Sequence, residues 1–578
     1  MSWRLSCSTA DPAGTLAITG LVVERRGPLT VAVHGHLFDT GATSPAAFVA
    51  DAVARQGQPE ALRGLRGVFV AAIADHQMGE LRIARDPLGA HPLFFARTSG
   101  GLIAGESVRE LRMAPGVAGG LNRAALADHL CHRWPSTTET FIEGVERVPP
   151  GSLIEISGGA CRVRRYWDPV PPGDEVEWAS HEEVARFGAL FSRAIDRLLW
   201  FGPGGVFLSG GLDSISVAAG AADRARARGD RMPLALSLAI PDPACDERET
   251  QTSVARDLAL PQILLPFDEA AGDRGLLAEG AGMGAQFSNP LLNIWAPAYR
   301  SLATRAAAEG VRVIMTGSGG DEWLSVSPYL SADLISRGDA RGWVNFASAF
   351  MQSYQHPLHR HVRLLAWTFG VRPLLARALL RTFPSAWSAR RVRRMSAGDP
   401  RWVAPDPALR RLQRDRAAGA LDDGDPGQGF YLREVRTGLA HPLTSWELEE
   451  YYEFGNRLGL RIMHPYWDPD LVDMLYRTPP VALLAGGRAK GLVRQDLAAR
   501  FPALGLGTQR KVSATGFYQR RVREEMTRVA AQLGPCRALA ELGVITKDAA
   551  EDYAREGFGS ATNQWDLVNL ETWVRSVL

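Results

Sequence analysis

The sequence is poor in lysine and cysteine, and it lacks long apolar runs. Of its 65 basic residues only three are lysines, Lys490, Lys511 and Lys547. Its five cysteines are odd in number and form no CxxC pair, which argues against a disulfide framework and a cysteine-bound zinc. No run of about 18 apolar residues predicts a membrane span, and the first residues show no signal peptide. We therefore expect a cytoplasmic protein.

A strong charge of either sign is also absent. Asp and Glu total 63, so the formal net charge is only +2. This balance indicates neither nucleic acid nor a membrane surface as a partner. With 578 residues, 46% of them apolar, the chain is too long for a single hydrophobic core. We expect a globular protein of two or more domains.

The first part of the chain, up to about residue 170, predicts β-strands. Short apolar segments separated by turn residues lie at 29–39, 67–75, 80–86 and 92–96. Their regular spacing is typical of packed antiparallel sheets. Residues 168–178 contain three prolines and few apolar residues, and they predict a linker.

A different pattern follows the linker, where Ser180 and Glu183 form a capping-box signature ahead of a helix. Four nearly continuous apolar segments then alternate with helical patterns, at 204–208, 234–240, 263–267 and 311–317. This alternation predicts buried parallel strands in an α/β sheet. Beyond about residue 325 the pattern is mostly helical. There an Arg-rich portion leads into a polar stretch, 396–407, which we expect to be an exposed loop.

The most informative segment is SGGLDS, residues 209–214, at the end of a predicted buried strand. A glycine turn between a strand and a helix presents backbone N–H groups at the positive end of the helix dipole, which suits phosphate. A Walker A loop needs a lysine and a dinucleotide fingerprint needs GxGxxG, and the segment has neither. The carboxylate of Asp213 would repel phosphate unless a divalent cation lay between them.

A second glycine turn, TGSGGDE at residues 316–322, carries Asp321 after the last predicted strand. In a doubly wound sheet both turns fall at the carboxyl ends of strands, where ligands bind. We therefore predict that Asp213 and Asp321 share Mg²⁺ with the pyrophosphate of a nucleotide. The alternative is that both are ordinary strand–helix turns in which glycine eases close packing.

The two turns resemble those of the asparagine synthetase superfamily, whose pyrophosphate-binding loop is similar to SGGLDS and whose second acidic turn is similar to TGSGGDE. Residues 65–96, 105–111 and 148–169 resemble the glutaminase-type half of those enzymes. The synthetase half of those enzymes is similar to four later segments of this chain, 245–260, 464–475, 488–502 and 509–517.

The resemblance implies an α/β protein with two parts. Residues 1–170 would form a degenerate glutaminase-like domain, an antiparallel β-sandwich of the Ntn-hydrolase type (α+β). Residues 180–578 would form a PP-loop domain, a parallel α/β domain like the adenine nucleotide alpha hydrolases. Helical additions, including an insertion at about 330–430, would complete it.

The resemblance also implies a reaction. Such an enzyme binds ATP and Mg²⁺, adenylates a substrate carboxylate with release of pyrophosphate, and lets an amine capture the acyl-adenylate as an amide. The metal would lie on Asp213 and Asp321. The implied ATP-binding residues are Leu208, Ser209, Gly210, Gly211, Asp213, Ser214, Leu236, Ser237 and Gly317.

Two of the three lysines match lysines of the family. Lys511 matches the one that contacts the α-phosphate and the reacting acyl group, and Lys490 matches the other lysine of the C-terminal helical region. A compact ammonium differs there from a planar guanidinium, although both lysines could instead be solvated surface residues. Asp246 and Glu247 match an acidic pair that would either orient substrate or begin a helix.

By the same resemblance, the N-terminal part has lost its glutaminase chemistry. A glutaminase of this class uses a cysteine directly after the initiator Met, whereas residue 2 is Ser and the nearest cysteine is Cys7. His34 stands where the family's oxyanion segment has Asn. We expect no ammonia release from glutamine, and we expect Cys7 to be a small buried residue.

Without glutamine hydrolysis the amine must come from a substrate, as in the β-lactam synthetases and the lasso peptide cyclases. β-Lactam synthetases carry Tyr at the position of Ser318, which counts against that branch. We favour a cyclase that joins an Asp or Glu side chain of a precursor peptide to its N-terminal amine, with a leader peptidase and a leader-binding protein as candidate partners. The alternatives are a small-molecule amide or β-lactam synthetase, an ammonia-dependent asparagine synthetase-like enzyme, and a non-catalytic nucleotide-binding scaffold.

Overall fold

The structure is a computed structural model that describes residues 3–169, 176–354, 357–420, 429–555 and 557–578. Ser2 and the central part of the predicted linker lie outside the described residues. We refer to residues 3–169 as the N-terminal half and to the rest as the C-terminal half. Within the described ranges, no helix is both long enough and apolar enough to cross a membrane.

The N-terminal half contains eleven strands in two antiparallel sheets, as its spacing predicts. The strands are β1 (Arg4–Ser8), β2 (Ala17–Thr19), β3 (Val22–Arg26), β4 (Leu29–Leu37), β5 (Gly67–Asp75), β6 (Glu80–Arg85), β7 (Phe94–Thr98), β8 (Gly101–Gly105), β9 (Val145–Arg147), β10 (Ser152–Ser157) and β11 (Ala160–Arg165). One sheet has the order β2-β1-β8-β7-β9 and the other β11-β10-β6-β5-β4-β3. The helices of this half are α1 (Pro45–Gln56), α2 (Gln58–Gly64), α3 (Val108–Arg112) and α4 (Arg123–Leu130).

Strand β5 shows why the two sheets pack face to face. Phe69, Ala71 and Ile73 belong to the core that contains α1 and α2. The intervening residues Val70 and Ala72 belong to the core shared with the other sheet. Because side chains of a strand alternate between its faces, one apolar strand serves two layers.

The C-terminal half is built on a five-stranded parallel sheet, which confirms the predicted α/β class. Its strands are β12 (Gly204–Phe207), β13 (Leu234–Ala239), β14 (Gln262–Pro266), β15 (Val313–Met315) and β16 (Arg461–Met463). Their order is β14-β13-β12-β15-β16, so the strand order reverses at β12 and β15. The sequence pattern missed β16, which has only three residues and follows a long helical region.

Helices cover both faces of this sheet. The main ones are α5 (His181–Ala185), α6 (Phe187–Leu199), α7 (Leu212–Arg228), α8 (Arg248–Asp257), α9 (Phe267–Ala271), α10 (Leu276–Gly284), α11 (Ala296–Ala308) and α12 (Gly320–Trp323). Val206 of β12 packs with α6 and α7, whereas the neighbouring Phe207 packs in the core that contains α11. This is the doubly wound arrangement.

The region after α12 is helical, as predicted. Its first elements are α13 (Leu330–Ser336), α14 (Ala340–Ser353), α15 (Leu358–Val362), a π-helix (Arg363–Val371), α16 (Arg372–Thr382), α17 (Pro384–Ser396), α18 (Pro407–Gly419) and α19 (Phe430–Leu439). The later helices are α20 (Pro442–Arg457), α21 (Pro469–Tyr476), α22 (Pro480–Leu483), α23 (Gly491–Arg500), α24 (Thr515–Leu533), α25 (Arg537–Glu541), α26 (Lys547–Asp552) and α27 (Ala561–Val577). Three short 3₁₀ turns lie at Pro465–Trp467, Ala485–Gly487 and Pro502–Leu504.

Two local expectations need correction. The stretch 396–407 is not an exposed loop, because Val403 and Ala404 are 3% and 0% exposed and the Ala404 N–H donates to the Val544 carbonyl at 2.8 Å. The polar residues on either side suggested a loop, but the short apolar centre packs against the C-terminal helices. The capping box of Ser180 and Glu183 is confirmed, but the helix it begins ends at Ala185, and Arg186 separates it from α6.

Candidate functional site

The SGG turn connects β12 to α7 and is held in shape by its serines. The Ser209 and Ser214 Oγ atoms lie 2.9 Å apart, and the Ser209 and Gly211 N–H groups donate to these hydroxyl oxygens at 3.1 and 3.2 Å. The acceptors are side-chain oxygens rather than backbone carbonyls. These serine side chains can rotate away, so the N–H groups of the turn could donate to a ligand instead.

A carboxylate already occupies part of this turn. Glu247 Oε2 accepts a hydrogen bond from the Gly210 N–H at 3.0 Å, and burial raises the pKa of Glu247. Asp246 instead pairs with Arg248 at the surface and accepts from the Arg248 N–H at 3.0 Å. Of the two acidic residues, Glu247 therefore belongs to the glycine turn and Asp246 to the start of α8. The bound carboxylate shows that the turn accommodates an anionic group.

The second glycine turn, between β15 and α12, packs directly on the first. A Cβ atom at position 317 would lie 2.8 Å from the amide nitrogen of Ser214, and one at position 320 would lie 2.6 Å from Oδ1 of Asp213. These separations are too short for any side chain, so the contact requires Gly317 and Gly320. Because β12 and β15 are adjacent at the reversal of strand order, both turns line the crevice where doubly wound sheets bind ligands.

Four of the residues singled out in the sequence form one charged chain. Lys490 Nζ contacts Oδ2 of Asp213 and lies 2.8 Å from Oδ1 of Asp321. Lys511 Nζ lies 2.7 Å from the other oxygen of Asp321, Oδ2. The order Asp213–Lys490–Asp321–Lys511 thus brings together residues from three distant parts of the sequence. Lys490 is largely buried, whereas the Lys511 side chain is 54% exposed and faces solvent.

The pKa shifts of this chain follow from burial and from the alternating charges. Burial raises the pKa of Asp213, against the attraction of Lys490. Burial also acts to raise the pKa of Asp321, but the ammonium groups of Lys490 and Lys511 outweigh it and hold that pKa below its usual value. Burial acts to lower the pKa of Lys490, and Asp213 and Asp321 overcome it and raise that pKa.

The carboxylates also fit the expected divalent cation. Asp213 Oδ1 is buried and has no hydrogen-bond partner among the described residues. Mg²⁺ prefers hard oxygen ligands and is commonly held by one or two carboxylates together with substrate phosphates. Asp213 and Asp321 flank one positive charge, the Lys490 ammonium, so they are placed to share a cation.

The predicted adenine-side residues lie at the end of β12 and on the neighbouring strand β13. The Leu208 N–H donates to the Leu236 carbonyl at 2.9 Å, and the Ser237 hydroxyl donates to the Leu208 carbonyl at 2.9 Å. Ser237 is 1% exposed, so this hydroxyl is a buried support for the residue that begins the glycine turn. All nine predicted ATP-binding residues therefore lie on the two turns or on the strands beside them.

The sequence analysis missed two further polar residues. Gln509 donates its side-chain amide to the Gly210 carbonyl at 2.8 Å; its position two residues before Lys511 was the signal. Glu447 lies on α20, where burial and the negative charge of Glu322 raise its pKa to about 7. No sequence signal connects Glu447 with the turns, because α13 to α19 separate α20 from α12 in the sequence.

In the N-terminal half Cys7 is 7% exposed, and burial raises the pKa of its thiol to about 11. This confirms the prediction of a small buried residue. A thiol with so high a pKa carries almost no thiolate at neutral pH, and the thiolate is the nucleophilic form.

Comparison with known families matches both halves of the chain. A family described as "Asparagine synthase" matches residues 186–423 and 448–575, which is more than half of the chain. A family described as "Glutamine amidotransferase domain" matches residues 30–167. The first match contains both glycine turns as well as Lys490 and Lys511.

Individual relatives match more distantly. "Asparagine synthetase (glutamine-hydrolyzing) 3" of Bacillus subtilis is 28% identical over 28% of this chain and 27% of its own length. "Amidase chyE" of Penicillium rubens is 29% identical over 48% of this chain and 42% of its own. "Amidase chry2" of Gibberella zeae is 26% identical, with the same two shares of 48% and 42%. The matching region thus spans less than half the length of each of these relatives.

Proposed function

Because the chain belongs to the asparagine synthase family, we propose that it is an ATP-dependent, AMP-forming ligase that joins a substrate carboxylate to an amine. The observation that carries this proposal is the charged chain of Asp213, Lys490, Asp321 and Lys511 at the reversal of strand order. Two carboxylates for a cation, a buried ammonium between them and an exposed ammonium for phosphate stand beside a turn that already binds a carboxylate.

Each of these residues has a distinct proposed role. The N–H groups of the SGG turn would bind the pyrophosphate in place of the Glu247 carboxylate, and Asp213 and Asp321 would hold Mg²⁺, which supplies charge neutralisation when bound. Lys490 is buried between the carboxylates and would fix their positions. The Lys511 side chain is exposed, and its ion pair within the described residues is with Asp321, while its backbone N–H donates to the Ser353 carbonyl. This side chain would reach the α-phosphate and the acyl group.

Glu447 is the proposed general base. An amine is a nucleophile only after it loses its proton, and a base is most effective when its pKa lies near the working pH. Burial, followed by the charge of Glu322, gives Glu447 a pKa of about 7. Glu322, whose charge contributes to this shift, directly follows Asp321 on α12.

For the substrate we propose a peptide, with the reaction being macrolactam formation of the lasso type between an Asp or Glu side chain and the N-terminal amine. The buried, high-pKa thiol of Cys7 supports an amine that comes from the substrate rather than from glutamine. Ser318 stands where β-lactam synthetases carry a Tyr, so this chain lacks the phenol group of that Tyr. A leader peptidase and a leader-binding protein of the same pathway are the proposed partners.

The helices after α12 support a peptide of acidic and apolar character. Residues 357–398 contain nine arginines and no Asp or Glu. Large apolar side chains on these helices are more than a third exposed, among them Leu358, Val362, Trp367, Leu375, Leu379 and Phe383. A surface with both properties matches a peptide that carries carboxylates beside apolar residues.

A pyrophosphate-release assay coupled to mass spectrometry tests the proposal. A peptide with a free N-terminus and an internal Asp or Glu should release pyrophosphate and yield a product lighter by one water. The N-acetylated peptide should give no cyclic product, and replacing its acidic residue with the amide should also stop pyrophosphate release. Turnover with small carboxylic acids alone would favour a small-molecule ligase, and no turnover with either would favour a scaffold. Glutamine should release no glutamate.

A further inference from the structure

Three side chains with metal-binding atoms meet in the N-terminal half, away from the nucleotide site. They are His34 on β4, His91 in the loop before β7, and Glu106 directly after β8. One atom from each, two imidazole nitrogens and a carboxylate oxygen, all lie within 4.8 Å of one another. His34 Nδ1 is 2.7 Å from His91 Nε2 and 3.8 Å from Glu106 Oε2. Among the described residues this is the single such group of His, Cys, Asp or Glu.

The backbone fixes which nitrogen of His91 is available. Its Nδ1 lies 2.8 Å from the Pro92 carbonyl, which can only accept, so Nδ1 carries the proton and Nε2 keeps its lone pair. That lone pair faces His34, and the Tyr452 hydroxyl on α20 lies 2.9 Å from it. A backbone carbonyl that orients an imidazole in this way is the usual support behind a metal-binding histidine.

The carboxylate of Glu106 is a second, independent observation that points to a cation. Its Oε2, the atom nearest His34, is buried and has no hydrogen-bond partner among the described residues. Leaving a buried carboxylate oxygen without a partner is costly.

One member of the cluster, Glu106, also lines a cavity. Glu106 and Tyr452 both line a space of about 270 Å³ between the N-terminal half and α20, together with Arg109, Glu453 and Arg457. A ligand bound beside Glu106 would therefore have one side towards protein atoms and one side towards this cavity. Metal sites with three protein ligands keep a fourth position open in the same manner.

We propose that His34 Nδ1, His91 Nε2 and Glu106 Oε2 bind a divalent first-row transition metal, of which Zn²⁺ suits the ligand set best, with a fourth position open to the cavity. Bonds of about 2.0–2.1 Å in a tetrahedral site place neighbouring ligand atoms about 3.3 Å apart. The two separations from His34 Nδ1, 2.7 and 3.8 Å, bracket this value, and the remaining pair lies within 4.8 Å. Rotation of the His34 and Glu106 side chains, each about a quarter exposed or less, would be needed to bring the three atoms to it.

Zinc binding by the full chain tests this proposal without using its activity. After treatment with a chelator and dialysis, titration calorimetry with ZnCl₂ should show one site per chain, and CoCl₂ should give the visible absorption of a low-symmetry Co²⁺ site. His34→Asn and Glu106→Gln should each weaken zinc binding by at least ~10-fold. His132→Asn is the matched control, because the His132 imidazole lies 3.5 Å from the Asp566 carboxylate without a third ligand. It should bind zinc as the wild type does.

Thermal unfolding distinguishes a variant that binds zinc weakly from one that fails to fold. Zinc should raise the melting temperature of the wild type and of His132→Asn, because a ligand of the native state stabilises it. At the same zinc concentration it should raise the melting temperatures of His34→Asn and Glu106→Gln much less, while each variant still unfolds cooperatively in chelator. The proposal is overturned if the wild type binds no stoichiometric zinc, or if the two variants bind it as tightly as the wild type.

Discussion

The carboxylate of Glu449 on α20 lies 2.7 Å from the guanidinium of Arg85 on β6, and this contact joins the two halves of the molecule. Arg147 on β9 completes the group, with Nε and Nη2 at 2.8 and 3.0 Å from the same carboxylate. Arg85 is 0% exposed and Glu449 is 4% exposed. Because α20 also carries Glu447 and Tyr452, this ion group sets the position of a helix that contributes to both proposed sites.

Glu449→Ala should therefore be strongly destabilising. It would leave two buried guanidinium groups without their carboxylate, and breaking a buried pair in this way costs about 3–5 kcal/mol. Urea denaturation should show a loss of that size in the free energy of unfolding. Glu146→Ala is the control, because its pair with Arg97 is exposed and 3.9 Å long, and it should change stability by less than about 1 kcal/mol. Equal effects of the two variants would contradict the role of Glu449.

Lys511→Ala should abolish amide formation while ATP still binds. The side chain is exposed and contacts only Asp321 among the carboxylates of the turns, so its removal leaves the SGG turn intact. Loss of one charged group that stabilises a transition state typically lowers kcat about 10²–10³-fold. Product formation and ATP affinity should be measured separately, by mass spectrometry and by calorimetry. Lys547→Ala, on the exposed start of α26, should behave as the wild type. Full activity of Lys511→Ala would refute its proposed role.

Gly317→Ala tests whether the two glycine turns must touch. The added methyl group would lie 2.8 Å from the amide nitrogen of Ser214 and force the turns apart. Overpacking of this kind costs about 1–3 kcal/mol, which we expect to appear as weaker ATP binding. Gly188→Ala on α6 is the matched control, since the new methyl group meets no described atom within 4 Å beyond its chain neighbours and its own helix backbone. If ATP binds Gly317→Ala with unchanged affinity, the turns do not form one site.

The strands and turns of the site were predictable because their signals are local. Each predicted strand of the parallel sheet is a short apolar run, and Asp213 and Asp321 stand at fixed positions in glycine turns. Parallel strands end at the same edge, so proximity of the two aspartates followed from topology. Lys490 and Lys511 were identified because lysine is rare in this sequence and because they match lysines of the family, not because of any periodic pattern.

The remaining contacts depend on tertiary packing, which local patterns do not encode. Glu247 reaches Gly210 because α8 begins beside the first turn, and its neighbour Asp246 has the same chemistry but points elsewhere. The stretch 396–407 was misjudged because its apolar run, Trp402, Val403 and Ala404, is only three residues long in a polar context. The burial of Val403 and Ala404 depends on residues 544 and 545, far along the chain.

Glu447→Gln should remove the pH dependence of amide formation near neutrality. The carboxyl is protonated below its pKa of about 7 and can accept a proton only above it, so the wild-type rate should rise with pH between about 6 and 8. The amide of Gln accepts no proton, and the variant should be slower by about 10²–10⁴-fold with a flat profile over this range. Glu447→Asp should keep the rising limb at a reduced rate, because it retains the carboxyl but shortens its reach. Glu541→Gln, at the exposed last residue of α25, controls for loss of charge alone. A rising limb that persists unchanged in Glu447→Gln would assign the titration to another group, and Glu447 would not be the base.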